Sequence, residues 1–330
     1  MLDTTTLLQD IATQIQIGEG FTLQHPDYPD WETAEIVVDR LQASPREIQA
    51  KFLCTQLQAY LHCIYFSRSL LPLSNIPSLA QSSEAYRNNS SRGIDTAFYD
   101  QIEQANCGQG YYDPDWTIQA QLANGRTAVS KEGLCIQVYS DDMYPHQPIA
   151  QIGSQVAIKL PKNLATVDHY IAVGNQGRVY QTPLVYLYFN CPPQAAIDLM
   201  AKITQSFNQL KLPFELQILL HPEEYPHADA LTLKWAAADY ETAAPYLTQM
   251  LTTYQAAFYD FIPALSEPVI RGVGKTIVST GEDFPQHFLR LISQVLVRAW
   301  LHGLTNTGDK INMIQQELKG IIADFPESMQ

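Results

Sequence analysis

The run Leu184–Phe189, followed almost at once by Pro192-Pro193 and a helical pattern, constrains this chain more than any other segment. Its six apolar and aromatic residues read as a strand, and the proline pair then opens a helix from about Gln194 to Leu210. Ile197, Met200, Ala201, Ile203, Thr204 and Phe207 supply that helix with a buried face. Phe214 to Leu220 reads as a second strand, Ala230 to Trp235 as a third, and Tyr240 to Phe258 as a second helix. The order strand, helix, strand, strand, helix resembles a split βαβ unit with helices on one face of a mixed sheet, an α+β layout. Because the longest apolar runs stop far short of the roughly 18–20 residues that cross a bilayer, no membrane span is expected.

The first hundred residues read mainly as helices. Leu7, Leu8, Ile11 and Ile15 recur at helical spacing, and Gly18 and Gly20 are expected to end that helix. A loop through His25, Pro26 and Pro29 leads to Trp31, and Ile36, Val37 and Leu41 mark a second helix. Ser44, Pro45 and Glu47 form a capping-box pattern opening a third helix to about Ser69. The Ser-, Asn- and Pro-rich stretch 71–93 reads as a loop or connector. From Gly108 onward the texture changes to short β-type runs: Trp116 to Leu122, Thr127 to Ser130, Leu134 to Tyr139, Val156 to Leu160 and Tyr170 to Val173. Asn124-Gly125 between the first two is a hairpin signal of the type I′ kind. The last two helices are expected at Phe284 to Leu301 and Ile311 to Ile322.

Charge narrows the partners. Residues 1–150 carry 8 Lys and Arg against 18 Asp and Glu, and residues 151–330 carry 12 against 16, which gives the net −14. Nucleic-acid binders neutralise phosphates with clustered cations, so nucleic acid is excluded as an expected partner. The N-terminus has no positive segment ahead of an apolar core, so the expected location is the cytoplasm. Five cysteines, with no paired spacing and no metal-ligand pattern, are expected to be reduced thiols, and no metal or cofactor is expected.

Arg271-Gly-Val-Gly-Lys-Thr276 echoes a phosphate-binding loop but lacks that motif's first glycine, which leaves a flexible glycine turn displaying two cations. His287 and Arg290, three apart, share one face of the Phe284 helix, with Glu282 just ahead of it.

Taken in order, Gly108-Gln-Gly110, Asp115-Trp116, Lys131-Glu-Gly133-Leu134, Leu160-Pro161-Lys162, Tyr170-Ile-Ala-Val-Gly174 and Val185-Tyr-Leu-Tyr188-Phe189-Asn190 form a string of landmarks. Pro213-Phe214, His221-Pro222, Asp229-Ala230, Gly272-Val-Gly274 and Gly281-Glu282-Asp-Phe284-Pro-Gln-His287 continue it. From about residue 105 to 302 the chain resembles the HopA-type effector family, named for a type III effector of plant-pathogenic pseudomonads. Homologues occur free-standing in cyanobacteria and beside kinase-like enzymes in class V lanthipeptide and thioamitide clusters.

The resemblance implies a phosphoserine/phosphothreonine peptide lyase acting by β-elimination without metal or organic cofactor, on a peptide or protein substrate that a kinase-like partner supplies. Elimination needs a base for the α proton, an acid for the leaving oxygen and cations for the departing phosphate. Lys162 is the candidate base and His287 the candidate acid. Arg290, Arg271, Lys275, Tyr170, Tyr188, Asn190 and Glu282 are the candidates for holding phosphate or substrate. The positions of Tyr186, Gln217 and Phe288 are often Arg, Lys and Arg in that family and are uncharged here. The alternative is therefore a catalytically degenerate peptide- or protein-binding partner, its groove lined by Tyr170, Tyr186, Tyr188 and Trp235. The expected organisation is a helical N-terminal region, residues 1–104, packed on a HopA-like α+β domain, residues 105–330.

Overall fold

The computed structural model describes residues 4–70, 95–144, 151–166, 168–279, 284–304 and 306–319. The expected connector 71–93 and Glu282 lie outside these residues.

The N-terminal region forms α1 (Thr4–Gln14), α2 (Glu35–Gln42) and α3 (Arg46–Leu61) where the periodicity predicts helices, and in addition α4 (Thr96–Ala105), for which no helix was expected. A small antiparallel sheet interrupts it where a loop was expected: β1 (Gln16–Ile17), β2 (Leu23–His25) and β3 (Tyr28–Trp31). Strands of two to four residues are too short to carry an alternation that a sequence window can detect. Ser44 does not open α3. Its hydroxyl donates back to the Arg40 carbonyl at 2.7 Å and so closes α2, while Pro45 occupies the cap position of α3. Beyond Leu61 the helix continues as a π-helical turn, His62–Phe66.

A five-stranded antiparallel sheet follows, from β4 (Tyr111–Gln121), β5 (Thr127–Lys131), β6 (Leu134–Val138), β7 (Met143–Tyr144) and β8 (Gln155–Leu160), in the order β6-β5-β4-β8-β7. The hairpin at Asn124-Gly125 forms, but only Gly125 has positive φ (80°). Leu122 and Arg126 close a three-residue loop there. The two-residue I′ geometry belongs instead to Glu132-Gly133, with φ of 50° and 83°, between the paired Lys131 and Leu134.

The second, seven-stranded sheet comprises β9 (Asn163–Ala165), β10 (His169–Val173), β11 (Leu184–Phe189), β12 (Phe214–Leu219), β13 (Leu231–Ala236), β14 (Glu267–Ile270) and β15 (Val273–Val278). Its order is β14-β15-β11-β13-β12-β10-β9. Helix α5 (Pro193–Gln209) connects β11 to β12, and β13 lies between those two strands, which is the expected split βαβ unit. A mixed sheet was expected, yet every neighbouring pair is antiparallel. Inserting β13 separates the two strands that run parallel, so they share no ladder.

The two helices of the split unit lie on one face as expected, and a second helical layer covers the other. Val185, Leu187 and Phe189 point into a core beneath α5 and α6 (Tyr240–Tyr254), together with Phe207, Phe214 and Trp235. Leu184, Tyr186 and Tyr188 point the other way, into a core with Leu53, Leu57 and Ile64 from the N-terminal region and Phe288 and Ile292 from α7 (Phe284–Leu301). A strand apolar at every position must be covered on both sides. The last helix, α8 (Thr307–Lys319), packs on α1 and α7 and begins four residues before its expected start.

Candidate functional site

Lys162 lies in the link between β8 and β9, where the two larger sheets join. Its Nζ sits 2.9 Å from Glu103 Oε1 and donates to the Glu103 and Asn106 carbonyls at 2.8 and 3.0 Å. Three oxygens thus occupy the three donors of the ammonium, which neutralises the exposed carbonyls at the end of α4. Tyr170, fully buried on β10, donates its hydroxyl to the other oxygen of Glu103 and accepts from Asn106 Nδ2 at 2.9 Å. Burial, reinforced by Glu103, pushes the Tyr170 phenol well above its ordinary value. Lys162 and Tyr170 therefore tie α4 to the sheet, and no ammonium proton of Lys162 is left to face a substrate.

Arg271 and Lys275 belong to the β14–β15 hairpin, and Gly274-Lys275-Thr276 lies within strand β15 rather than at the start of a helix, so the phosphate-loop echo has no structural counterpart. Arg271 pairs with Asp260, and Lys275 lies 3.4 Å from Glu267 and over the Tyr240 ring. The turn is anchored rather than flexible, because Asn190 donates its backbone N–H to the Gly272 carbonyl and its side-chain amide to the Phe261 carbonyl, both at 2.9 Å. Asn190 is itself buried. Lys275 shares the α5/α6 face of the sheet with Lys162 but lies four strands from β10, roughly 19 Å at about 4.8 Å per strand. One phosphate cannot meet both.

His287 and Arg290 come together on α7, as their spacing predicts: Arg290 Nη2 donates to His287 Nδ1 at 2.8 Å. A guanidinium has only donors, so this nitrogen is unprotonated and any ring proton is on Nε2. Phe288, between them in sequence, is fully buried against the core that contains Tyr186 and Tyr188. This is the face of the sheet opposite Lys162, and the sheet with its two layers of side chains separates the candidate base from the candidate acid. The four aromatic residues expected to line one groove also divide: Tyr170 and Trp235 point into one core, Tyr186 and Tyr188 into the other, and all four are buried.

What the chain does assemble on the His287 side is a polar stretch of sheet that sequence reading missed. In register across the strands, Tyr186 faces Lys234, which faces Glu215, while Tyr188 faces Thr232, which faces Gln217 and then Ile171. Thr232, Lys234, Gln217 and Ile171 are partly exposed. Lys234 Nζ lies 2.9 Å from Glu215 Oε2, and Arg178 Nε lies 3.3 Å from Oε1. Burial alone would raise the Glu215 carboxyl, but the two cations outweigh it and hold the group below its ordinary range. Two positive charges on one carboxylate leave a local excess of one.

At the end of these rows four histidines from separate segments gather near one carboxylate. His62 Nε2 is 3.8 Å and His227 Nδ1 3.9 Å from Asp229, and His169 and His221 flank them. Burial pushes the His169 and His227 imidazoles below their ordinary value, against the opposing pull of Asp229. Among the described residues no group of three or more His, Cys, Asp or Glu has the geometry to hold a metal ion. The five cysteines are free thiols. No helix among the described residues is long and apolar enough to cross a membrane.

These features define an α+β protein in which an antiparallel split-βαβ sheet is sandwiched between helical layers, with one half of one face left polar and partly open. The chain belongs to the HopA1 effector protein family, which matches over residues 160–327. Among solved structures it is similar to the effector protein from Pseudomonas syringae pv. syringae strain 61, at 10% identity and a TM-score of 0.39, covering 82% of this chain and 93% of that one. It is also similar to the effector protein from Pseudomonas syringae pv. tomato strain DC3000, at 11% identity and a TM-score of 0.29, covering 64% and 94%. No curated protein matches the chain.

Proposed function

We propose that this chain is a binding member of its family, holding a peptide or protein segment on the polar rows of β12 and β13 without eliminating phosphate from it. The observation that carries the reading is that the Lys162 ammonium is taken up by Glu103 and Asn106 at the end of α4, while Phe288, between His287 and Arg290 in sequence, packs in the core on the other face of the sheet from Tyr170. Elimination requires base, acid and phosphate ligands within hydrogen-bond reach of one substrate. The uncharged Tyr186, Gln217 and Phe288 support the same reading, because a phosphate leaving group needs compensating cations in a partly desolvated site. The polar rows suit a bound main chain: Thr232 and Gln217 offer neutral donors and acceptors, and Lys234 with Arg178 favours a carboxylate or phosphate on the bound segment. Membership of a family described as effector proteins fits a protein target.

The test is incubation with phosphoserine peptides and with the products of neighbouring genes, followed by mass spectrometry and a binding titration. Saturable binding with unchanged peptide mass, weakened by Thr232→Arg, is expected. Release of phosphate with a peptide mass loss of about 98 Da, as elimination chemistry requires, would overturn the proposal in favour of a phosphopeptide lyase paired with a kinase-like protein.

A further inference from the structure

A crevice of about 400 Å³ opens between α1, β1, α7 and α8, away from the polar rows of the large sheet. Its volume falls in the range of small-molecule sites, roughly 300–1,000 Å³. Ile15, Ile17, Leu296 and Trp300 form apolar walls, and Lys310 supplies the one charged group of its lining. An adjoining crevice of about 540 Å³ shares Ile17 and Trp300 as a common wall.

Lys310 is unlike the other lysines described above. Lys162, Lys131, Lys234 and Lys275 each have a carboxylate within 3.4 Å. The Lys310 ammonium has no ion-pair or hydrogen-bond partner among the described residues, although its side chain is partly buried. Burial pushes this amine below the ordinary lysine range, with no neighbouring charge to offset it. In a chain with 34 acidic and 20 basic side chains, an uncompensated, partly buried cation on the wall of a crevice that is part apolar and part polar is a vacancy for a counter-charge.

We propose that this crevice binds a small apolar-tailed carboxylate, with the carboxylate on the Lys310 ammonium and the tail along Ile15, Ile17, Leu296 and Trp300. A single amine matches a monoanion. A phosphate dianion calls for a second cation or a guanidinium fork, and the lining holds neither, its other polar side chains being the neutral Thr13, Gln16 and Thr307. The apolar wall covers the tail, and the ion pair fixes orientation and selects acid over alcohol. The site is independent of the peptide-binding proposal, and either can fail without the other.

The experiment titrates the full chain with octanoate and with octanol by calorimetry. Octanoate should bind saturably and at least tenfold more tightly than octanol, and Lys310→Met should bring the two ligands to equal affinity. In a second measurement on the unmodified chain, acetic anhydride at neutral pH acylates accessible neutral amines, and octanoate should slow the acylation of Lys310, read by peptide mass spectrometry. The proposal is overturned by absent octanoate binding, by equal affinities in the unmodified chain, by a preference that survives in Lys310→Met, or by unprotected Lys310.

Discussion

Lys162 and Glu103 form an ion pair of 2.9 Å that joins the last turn of α4 to the junction of the two large sheets. The same ammonium caps two carbonyls of that turn, and the same carboxylate accepts from Tyr170. The network is structural in its geometry, because its members satisfy one another. Lys162→Met is therefore expected to destabilise the fold by about 2 kcal/mol, the range for losing hydrogen bonds to a charged group, and to leave peptide binding on β12 and β13 unchanged. Urea denaturation and the binding titration check both halves. A variant with unchanged stability that abolished a β-elimination activity would return Lys162 to the role of base.

Acid should weaken the fold earlier than carboxylate protonation alone would. The His169, His227 and His25 imidazoles all have folded-state values lowered by burial. Above about pH 6.5 both folded and unfolded states are neutral at these positions and the histidines contribute no pH dependence. As pH falls through 6.5 the unfolded chain takes up protons that the folded chain resists, so stability declines. Glu215, held below its ordinary value, adds a further loss as pH falls through the carboxylate range. The urea midpoint should therefore drop between about pH 7.5 and 5.5, and the drop should shrink in His169→Gln combined with His227→Gln. A midpoint flat across that interval would contradict the burial of these rings.

How much of this was legible in the sequence follows from how local each signal is. The strand Leu184–Phe189 and the helix Phe284–Leu301 were placed to the residue, because each is a long apolar pattern ended by proline or glycine nearby. The second helical layer was also implicit in Leu184, Tyr186 and Tyr188, since a strand without a polar face needs two covers. The pairing of His287 with Arg290 was readable from their spacing. The polar rows were not, because Tyr186–Lys234 and Thr232–Gln217 are neighbours only through strand register, which no local window contains. The histidines at 62, 169, 221 and 227 likewise meet only after β10, β12 and the π-helical turn are in place. Lys162 and His287, linked by resemblance alone, carried no information about which face of the sheet each would occupy.

Two glycines with similar backbone conformations should respond very differently to alanine. Gly272 has φ of 68°, and a Cβ there would lie 2.0 Å from the Tyr259 carbonyl oxygen; Gly125 has φ of 80° and nothing within 4 Å. Gly125→Ala is expected to cost only the left-handed strain, about 1–2 kcal/mol. Gly272→Ala adds a backbone clash that must also disturb the hydrogen bond from Asn190, so a loss of more than about 3 kcal/mol is expected. Equal urea midpoints for the two variants would show that the β14–β15 turn can move away from Tyr259.

Restoring the family's charged residues separates the open part of this face from its sealed part. Gln217 is partly exposed on β12, so Gln217→Lys should change stability by no more than about 0.5 kcal/mol, as surface substitutions do. Phe288 has no exposed surface and packs in the core shared by α3, α7 and β11. Phe288→Arg loses the ring's burial, about 3–5 kcal/mol by analogy with truncation to alanine, and places a guanidinium among the apolar side chains of that core. The expected result is a protein that does not fold at neutral pH, with Phe288→Leu as the folded control. Circular dichroism and urea midpoints for the three variants decide the matter: a stable Phe288→Arg chain would mean that α7 can tilt to admit charge beside Tyr186.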